Sequence, residues 1–247
     1  MTERVTPEGP FTLDHVDAID CCLEAVPWLF ASDHADAIDA HWATLLAALP
    51  KMFNGRVLLQ HRGAVEQDDT GRRVYRGAYF EAEFKAFLAW RDFGYPMLGV
   101  RNGFAMAALR GSDGGFVLGE MGPHTANAGR IYFPSGTPDL SDLVGDRVDL
   151  DGSARRELVE ETGLDPDDLD FAPGFTLLHD PVRVCCMKLV RSRDSADALA
   201  ARIEEALARD ADPELVRIHV VRGEADMRPE MPVFVTDYMR HMFARDL

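Results

Sequence analysis

Apolar residues recur at helical spacing over 13–26 and again over 35–49, where Ile38, Trp42, Leu45, Leu46 and Leu49 share a face, so two helices are expected. Pro50 and the turn Asn54-Gly55 close the second of them. The pattern then shortens to strand period: 56–61 and 73–78 read as hairpin partners, with the polar run AVEQDDTGR between them. Helical spacing returns over 80–93, with Phe80, Phe84, Phe87, Leu88 and Trp90 on one side, an aromatic stripe read as core. Two strands follow, 97–110 and 115–119, divided by the hairpin turn Gly111-Ser112-Asp113-Gly114. Ile131-Tyr132-Phe133 leads into a second turn, Pro134-Ser135-Gly136, and beyond it lies a polar helix through Arg156–Thr162. Strands at 175–178 and 182–190, a helix at 196–208, a strand at 216–221 and a helix at 233–243 complete the chain. Residues 1–12 carry Pro and Gly without any period and are expected to be loose. This alternation predicts an α/β (α+β) fold, with no internal repeat and no low-complexity linker.

The 247 residues, 47% of them hydrophobic, suffice for one large domain or for a core with an added lobe. No apolar run approaches a membrane span, and MTERVTPEGP lacks the basic and apolar parts of a signal peptide, so a soluble, cytoplasmic chain is expected. Cysteines occur as adjacent pairs, Cys21-Cys22 and Cys185-Cys186. Neighbours of this kind do not readily bridge each other, and no C-x-x-C suggests zinc. A net charge of −16, from 42 acids against 26 bases, repels a phosphate backbone and argues against nucleic acid as a partner.

The chemistry concentrates in the polar helix. Its run Arg156-Glu157-Leu158-Val159-Glu160-Glu161-Thr162-Gly163-Leu164 packs three carboxylates and an arginine into six positions. At 3.6 residues per turn, Glu161 lies about 40° from Glu157 and Glu160 about 60° to the other side, so all three acids project from one side. Like charges so close repel unless a cation sits over them, and a hard divalent ion with oxygen ligands is the natural candidate.

This run resembles the signature helix of the Nudix hydrolases, a box written G-x5-E-x7-R-E-U-x-E-E-x-G-U with U a bulky aliphatic residue. The nine residues Arg156–Leu164 match it completely, and Gly136, in Phe133-Pro134-Ser135-Gly136, matches its first glycine. The front of the box departs from the pattern. Gly136 to Arg156 is a step of about twenty where the box has fourteen, so the segment 138–150 must absorb six extra residues. Counting back to the first box glutamate lands on Val148. Asp146, Asp149 and Asp151 lie nearby as replacements, although Asp151 equally suits the helix N-cap.

The resemblance implies a helix–mixed sheet–helix sandwich over 96–247, with 1–95 as an N-terminal helical and hairpin extension packed on it. It implies Mg²⁺, or Mn²⁺, held by Glu157, Glu160 and Glu161 with the Ser135 carbonyl. Arg156 would orient a glutamate, and Glu157 or a carboxylate on a later loop would serve as base. Arg101, His124 and Arg130 precede the box on elements expected to flank the cleft, where they could receive diphosphate oxygens. FNGRVLL, the aromatic helix, YPMLGVRNGFAMAAL and the lengthened box are similar to a divergent branch that includes enzymes splitting UDP-glucose and UDP-galactose. The implied activity is hydrolysis of a nucleotide sugar at its pyrophosphate, giving a nucleoside monophosphate and a phosphorylated product. Alternatives are an ADP-ribose or dinucleotide pyrophosphatase and a non-catalytic Nudix-fold binding regulator. The partner expected is a small nucleotide, with no membrane, and a homodimer is left open.

Overall fold

The computed structural model describes residues 11–96 and 99–245. In chain order the strands and helices are β1 (Thr12–Val16), β2 (Ala18–Leu23), α1 (Leu29–Asp33), α2 (Ala35–Ala48), β3 (Arg56–Gln67), β4 (Arg73–Glu83), α3 (Phe84–Asp92), β5 (Asn102–Arg110), β6 (Phe116–Met121) and β7 (Ile131–Tyr132). After them come β8 (Leu143–Val144), β9 (Arg147–Val148), α4 (Leu150–Thr162), β10 (Leu169–Phe171), β11 (Phe175–His179), β12 (Arg183–Ser192), α5 (Ala196–Leu207), β13 (Leu215–Val221) and α6 (Val233–Phe243). Of residues 1–12, expected to be loose, 1–10 lie outside the described residues, as does the start of the strand read over 97–110, whereas Phe11 is buried and Thr12 opens β1.

The central sheet runs β1-β11-β12-β5-β6-β13, with β10 beside β12 and β7 beside β6. It is mixed, because β12 and β5 are parallel, from Arg183↔Asn102 to Arg191↔Arg110, while the other pairs are antiparallel. Successive residues of a strand face opposite ways. Phe104, Met106 and Ala108 of β5, with Cys185 and Met187 of β12, therefore pack against Phe234, Val235 and Tyr238 of α6. Ala105 and Cys186 turn to the other face, toward Ala154 of α4. Ala107, Leu109 and Val190 lie with Leu158 of α4 and Leu199 and Ile203 of α5. The fold is thus α+β, a sheet between α6 on one side and α4 with α5 on the other. All four cysteines are free thiols, and Cys21, Cys185 and Cys186 are buried.

A second sheet, β3-β4-β2-β9-β8, is built from the N-terminal part and the segment before α4. One side packs Leu58, Tyr75 and Tyr79 over Ala105, Val148 and Ala154. The other packs Leu59 and Phe80 under α1–α3, where Phe30, Ile38, Phe87 and Trp90 are buried. The six extra residues of the box form a small hairpin, β8–β9, turned at Gly145, whose φ of 66° suits glycine. It joins the second sheet through Cys22↔Arg147, and Leu23 N–H donates to the Asp146 carbonyl at 2.8 Å.

One expected helix is absent. Residues 13–26 form β1 and β2, which a bend at Asp17 sends to different sheets. Leu13 packs with the α6 cluster and Val16 with the opposite one, so an apolar spacing of three arises from a strand buried on both faces. The Asp17 carboxylate fixes the bend by accepting from Arg73 N–H at 2.8 Å. The helix expected over 80–93 begins only at Phe84, because Phe80–Glu83 extend β4.

Candidate active site

Helix α4 starts at Asp149, whose carboxylate accepts from Gly152 N–H at 2.9 Å, and ends at Gly163 in the left-handed conformation, φ 66°. Asp149 is therefore the N-cap, not Asp151. Asp151 sits in the first turn and pairs with Lys188 at 2.5 Å and Arg155 at 2.7 Å. Asp146 is exposed on the β8–β9 turn beside Arg147. None of these three aspartates joins the glutamates of α4 in any contact among the described residues. Leu150, Ala154 and Leu158 bury the inner face of the helix.

The turn after β7 is held to three elements. Ala107 N–H of β5 donates to the Pro134 carbonyl at 3.0 Å, and Leu58 N–H of β3 to the Pro138 carbonyl at 2.7 Å. Between them Ser135 N–H donates to Glu161 Oε1 at 3.0 Å. Gly136 lies against Glu157, so closely that a Cβ there would meet its carboxylate. Four of the predicted residues thus come together: Ser135, Gly136, Glu157 and Glu161. The contact Ser135 makes is through its N–H.

Burial sets the electrostatics of this group. Glu161 is 7% exposed, and desolvation drives its carboxyl well above the usual carboxylate range despite the Ser135 N–H, with Glu157 adding repulsion. The Glu157 carboxyl is pushed up to about 7, first by burial, and the neighbouring Arg156 only partly offsets this. Glu160 behaves differently. It is exposed and paired with Arg156 at 2.9 Å. Among the described residues no group of three His, Cys, Asp or Glu side chains is close enough to hold a metal ion, so the three-glutamate set is not assembled as the side chains stand.

Arg156 is the hub of the cluster. It reaches Glu157 and Glu160 at 2.9 Å each, and its Nη2 contacts both oxygens of Asp142 at 3.0 and 3.3 Å. Asp142 was not among the sequence candidates, yet its side chain is only 2% exposed. It ends the short 3₁₀ turn Leu140–Asp142, where Asp139 and Asp142 cap each other's backbone. The signal for it was present as Asp139-x-x-Asp142 after Pro138, a reciprocal capping pattern. Glu214, at the entry to β13, was also unnamed. Its carbonyl accepts from Gly122 N–H at 2.7 Å, and its charge adds to the field that raises both Glu157 and Glu161.

The flanking basic residues divide. His124 packs against Gly122 beside the Glu214 carbonyl. Arg101 is half-buried and donates to the Gly63 carbonyl at 3.1 Å. Arg130 is exposed at the end of its loop. A path also runs in from α3: Arg91 donates to Asn127 Oδ1 at 3.4 Å, and Asn127 to Tyr132 Oη at 3.2 Å. Burial and the Glu161 charge push the Tyr132 phenol upward.

The donor set fits a hard divalent cation. Glu157 and Glu161 are oxygen donors largely withdrawn from water, and Arg156 offsets only part of the Glu157 charge. No helix among the described residues is long and apolar enough to cross a membrane.

No family model and no curated protein matches this chain. Solved structures similar to it include the MutT protein from Methanosarcina mazei Go1, at 18% identity and TM-score 0.37, covering 59% of this chain and 96% of that one. A second is RenU, a Nudix hydrolase from M. smegmatis, at 11% identity and TM-score 0.35, covering 58% of this chain and 83% of that one. Likenesses at these scores decide neither family nor activity.

Proposed function

We propose that this chain is a divalent-metal-dependent Nudix hydrolase acting on a nucleoside diphosphate linked to a further group, in particular a UDP-sugar. Water would cleave the pyrophosphate, giving a nucleoside monophosphate and a sugar phosphate. The observation that carries the reading is the pair of desolvated carboxylates, Glu157 and Glu161, closed against the Ser135–Gly136 turn by the run REL-V-EE-TGL. A buried and a half-buried acid in one cluster destabilise a fold, and a site for a hard cation explains their retention.

Glu157 and Glu161 would hold Mg²⁺ or Mn²⁺, with Glu160 and the Ser135 carbonyl as further donors. When bound, the ion would neutralise diphosphate oxygens and acidify a water molecule. Arg156, fixed by buried Asp142, would keep Glu157 in place by a charge-assisted bond. Either Glu157 or Glu214, the later-loop carboxylate facing the same cluster, would take the proton from water. His124, beside the Glu214 carbonyl, could receive phosphate oxygens. The second sheet with its β8–β9 hairpin, backed by α1–α3, would supply walls beyond a minimal core, which a two-ended substrate needs for orientation.

A second reading, a binding module without turnover, is favoured by Glu160 lying on Arg156 instead of beside Glu157 and Glu161. The test compares UDP-glucose, ADP-ribose, NADH and free nucleoside triphosphates at equal concentration with Mg²⁺ and with Mn²⁺, resolving both products. UDP-glucose giving UMP and glucose 1-phosphate is expected. Activity confined to triphosphates would remove the nucleotide-sugar reading, and activity on none would favour the binding module.

A further inference from the structure

A cavity of about 540 Å³ opens at the β1 edge of the central sheet, on the α6 side. The glutamates of α4 belong to the other side of that sheet. Its apolar lining comes from Met187 and Leu189 of β12 and from Tyr238 and Met242 of α6. Its charge runs against the rest of the chain. Where the whole sequence has 42 acids and 26 bases, five lining residues are basic (His15, Arg73, Arg191, His241, Arg245) and one, Asp14, is acidic.

Surface pairing accounts for Arg73 but not for the rest of this excess. Asp14 is already engaged by Arg73 at 2.5 Å and by His179 at 3.2 Å. The nearest carboxylate to Arg191 among the described residues is Asp170 at 3.9 Å, beyond hydrogen-bond reach. His241 and Arg245 favour the negative end of α6, which explains their presence there. That helix end does not explain Arg191, from β12. Arg191, from β12, and Arg245, just beyond α6, thus line one concavity of a size that holds a small ligand.

We propose that this cavity binds a phosphate monoester bearing a flat apolar group. A dianion with three equivalent oxygens can take bonds from more than one guanidinium, which a single carboxylate would not saturate. The apolar group would lie on Met187, Leu189 and Tyr238, where a free phosphate ion has nothing to contact. The proposal rests on the cavity alone and stands whether or not the α4 cluster hydrolyses diphosphates.

The test uses the full chain with EDTA present, so that phosphate cannot enter the α4 site on a metal. Phenyl phosphate is titrated against amide NMR shifts and calorimetry, with phenol and inorganic phosphate as controls. Saturable shifts at 172–176 and 238–245 are expected, with phenol failing to bind and inorganic phosphate binding at least about tenfold more weakly. Arg191→Ala or Arg245→Ala should weaken phenyl phosphate by about tenfold or more. Both positions are exposed and make no close carboxylate pair among the described residues, so the fold should survive either change. Shifts centred on 133–137 instead, or no saturation by about 10 mM, would overturn the proposal. So would unchanged affinity in both variants, or equal affinity for inorganic phosphate.

Discussion

Gly136 and Glu157 touch with no space for a side chain between them: a Cβ on Gly136 would stand 2.7 Å from Glu157 Cδ. Gly136→Ala must therefore push that carboxylate off the turn. Turnover should fall by about a hundredfold, as expected for a displaced reacting group, while the fold persists because the atom met ends a side chain. Steady-state rates with Mg²⁺, beside a thermal melt, check this. An active Gly136→Ala variant would show that the position of Glu157 does not matter.

The raised carboxyls make a pH prediction of definite sign. An unfolded glutamate titrates near 4.5, and the folded Glu157 at about 7, with Glu161 shifted in the same direction. Between these values the native chain holds more protons than the unfolded one. The stabilising contribution is complete below about pH 4.5 and is lost as pH rises through about 7. For Glu157 it is on the order of 3 kcal/mol. His241, whose imidazole is held below its usual range by burial and Arg245, works in the opposite direction, so the wild type alone is not decisive. Glu157→Gln isolates the effect. Without metal, the variant should gain stability relative to wild type between pH 5 and pH 8, by chemical denaturation. A constant difference across that range would contradict the desolvated state of Glu157.

Asp142 and Arg156 should behave as a coupled pair. Arg156→Ala strands a carboxylate whose side chain is 2% exposed, at a cost of about 2 kcal/mol, below the range for a fully buried pair because Arg156 itself is 33% exposed. Removing both residues should cost less than removing Arg156 alone. A denaturation cycle over the two single variants and the double variant measures this, and strict additivity would argue against the pairing.

The predicted acids were legible because their signal is local: three carboxylates and an arginine within six positions of one helix. The core of the fold was legible for the same reason, and α6 runs from Val233 to Phe243 as its spacing suggests. What was not legible depends on distant pairing. β1 and β2 read as a helix because Leu13 and Val16 are buried on opposite faces of a strand, a property set by β11 and not by their neighbours. Asp142 is fourteen residues from Arg156 in sequence, and only the β8–β9 hairpin returns it to α4. Glu214 reaches the cluster through pairing of β13 with β6.

The N-terminal residues should not be separable. β1 pairs with β11 along five residues, and β3 and β4 cover Ala105 and Ala154 from the second sheet. A chain starting at Tyr95 would expose Val184, Val148 and Leu177, all buried now. It should be insoluble, or should melt well below the whole chain. A soluble and fully active 95–247 fragment would show instead that the first part is an independent module.

The central claim is that Glu157 and Glu161 hold the divalent ion on which hydrolysis depends. The most direct measurement is Mn²⁺ binding by calorimetry to wild type, Glu157→Gln and Glu161→Gln, with UDP-glucose turnover followed in the same samples. The account predicts that each substitution weakens Mn²⁺ by about tenfold or more and abolishes turnover, with metal-free melting temperatures level or raised. Wild-type Mn²⁺ affinity together with near-normal turnover in either variant would contradict it.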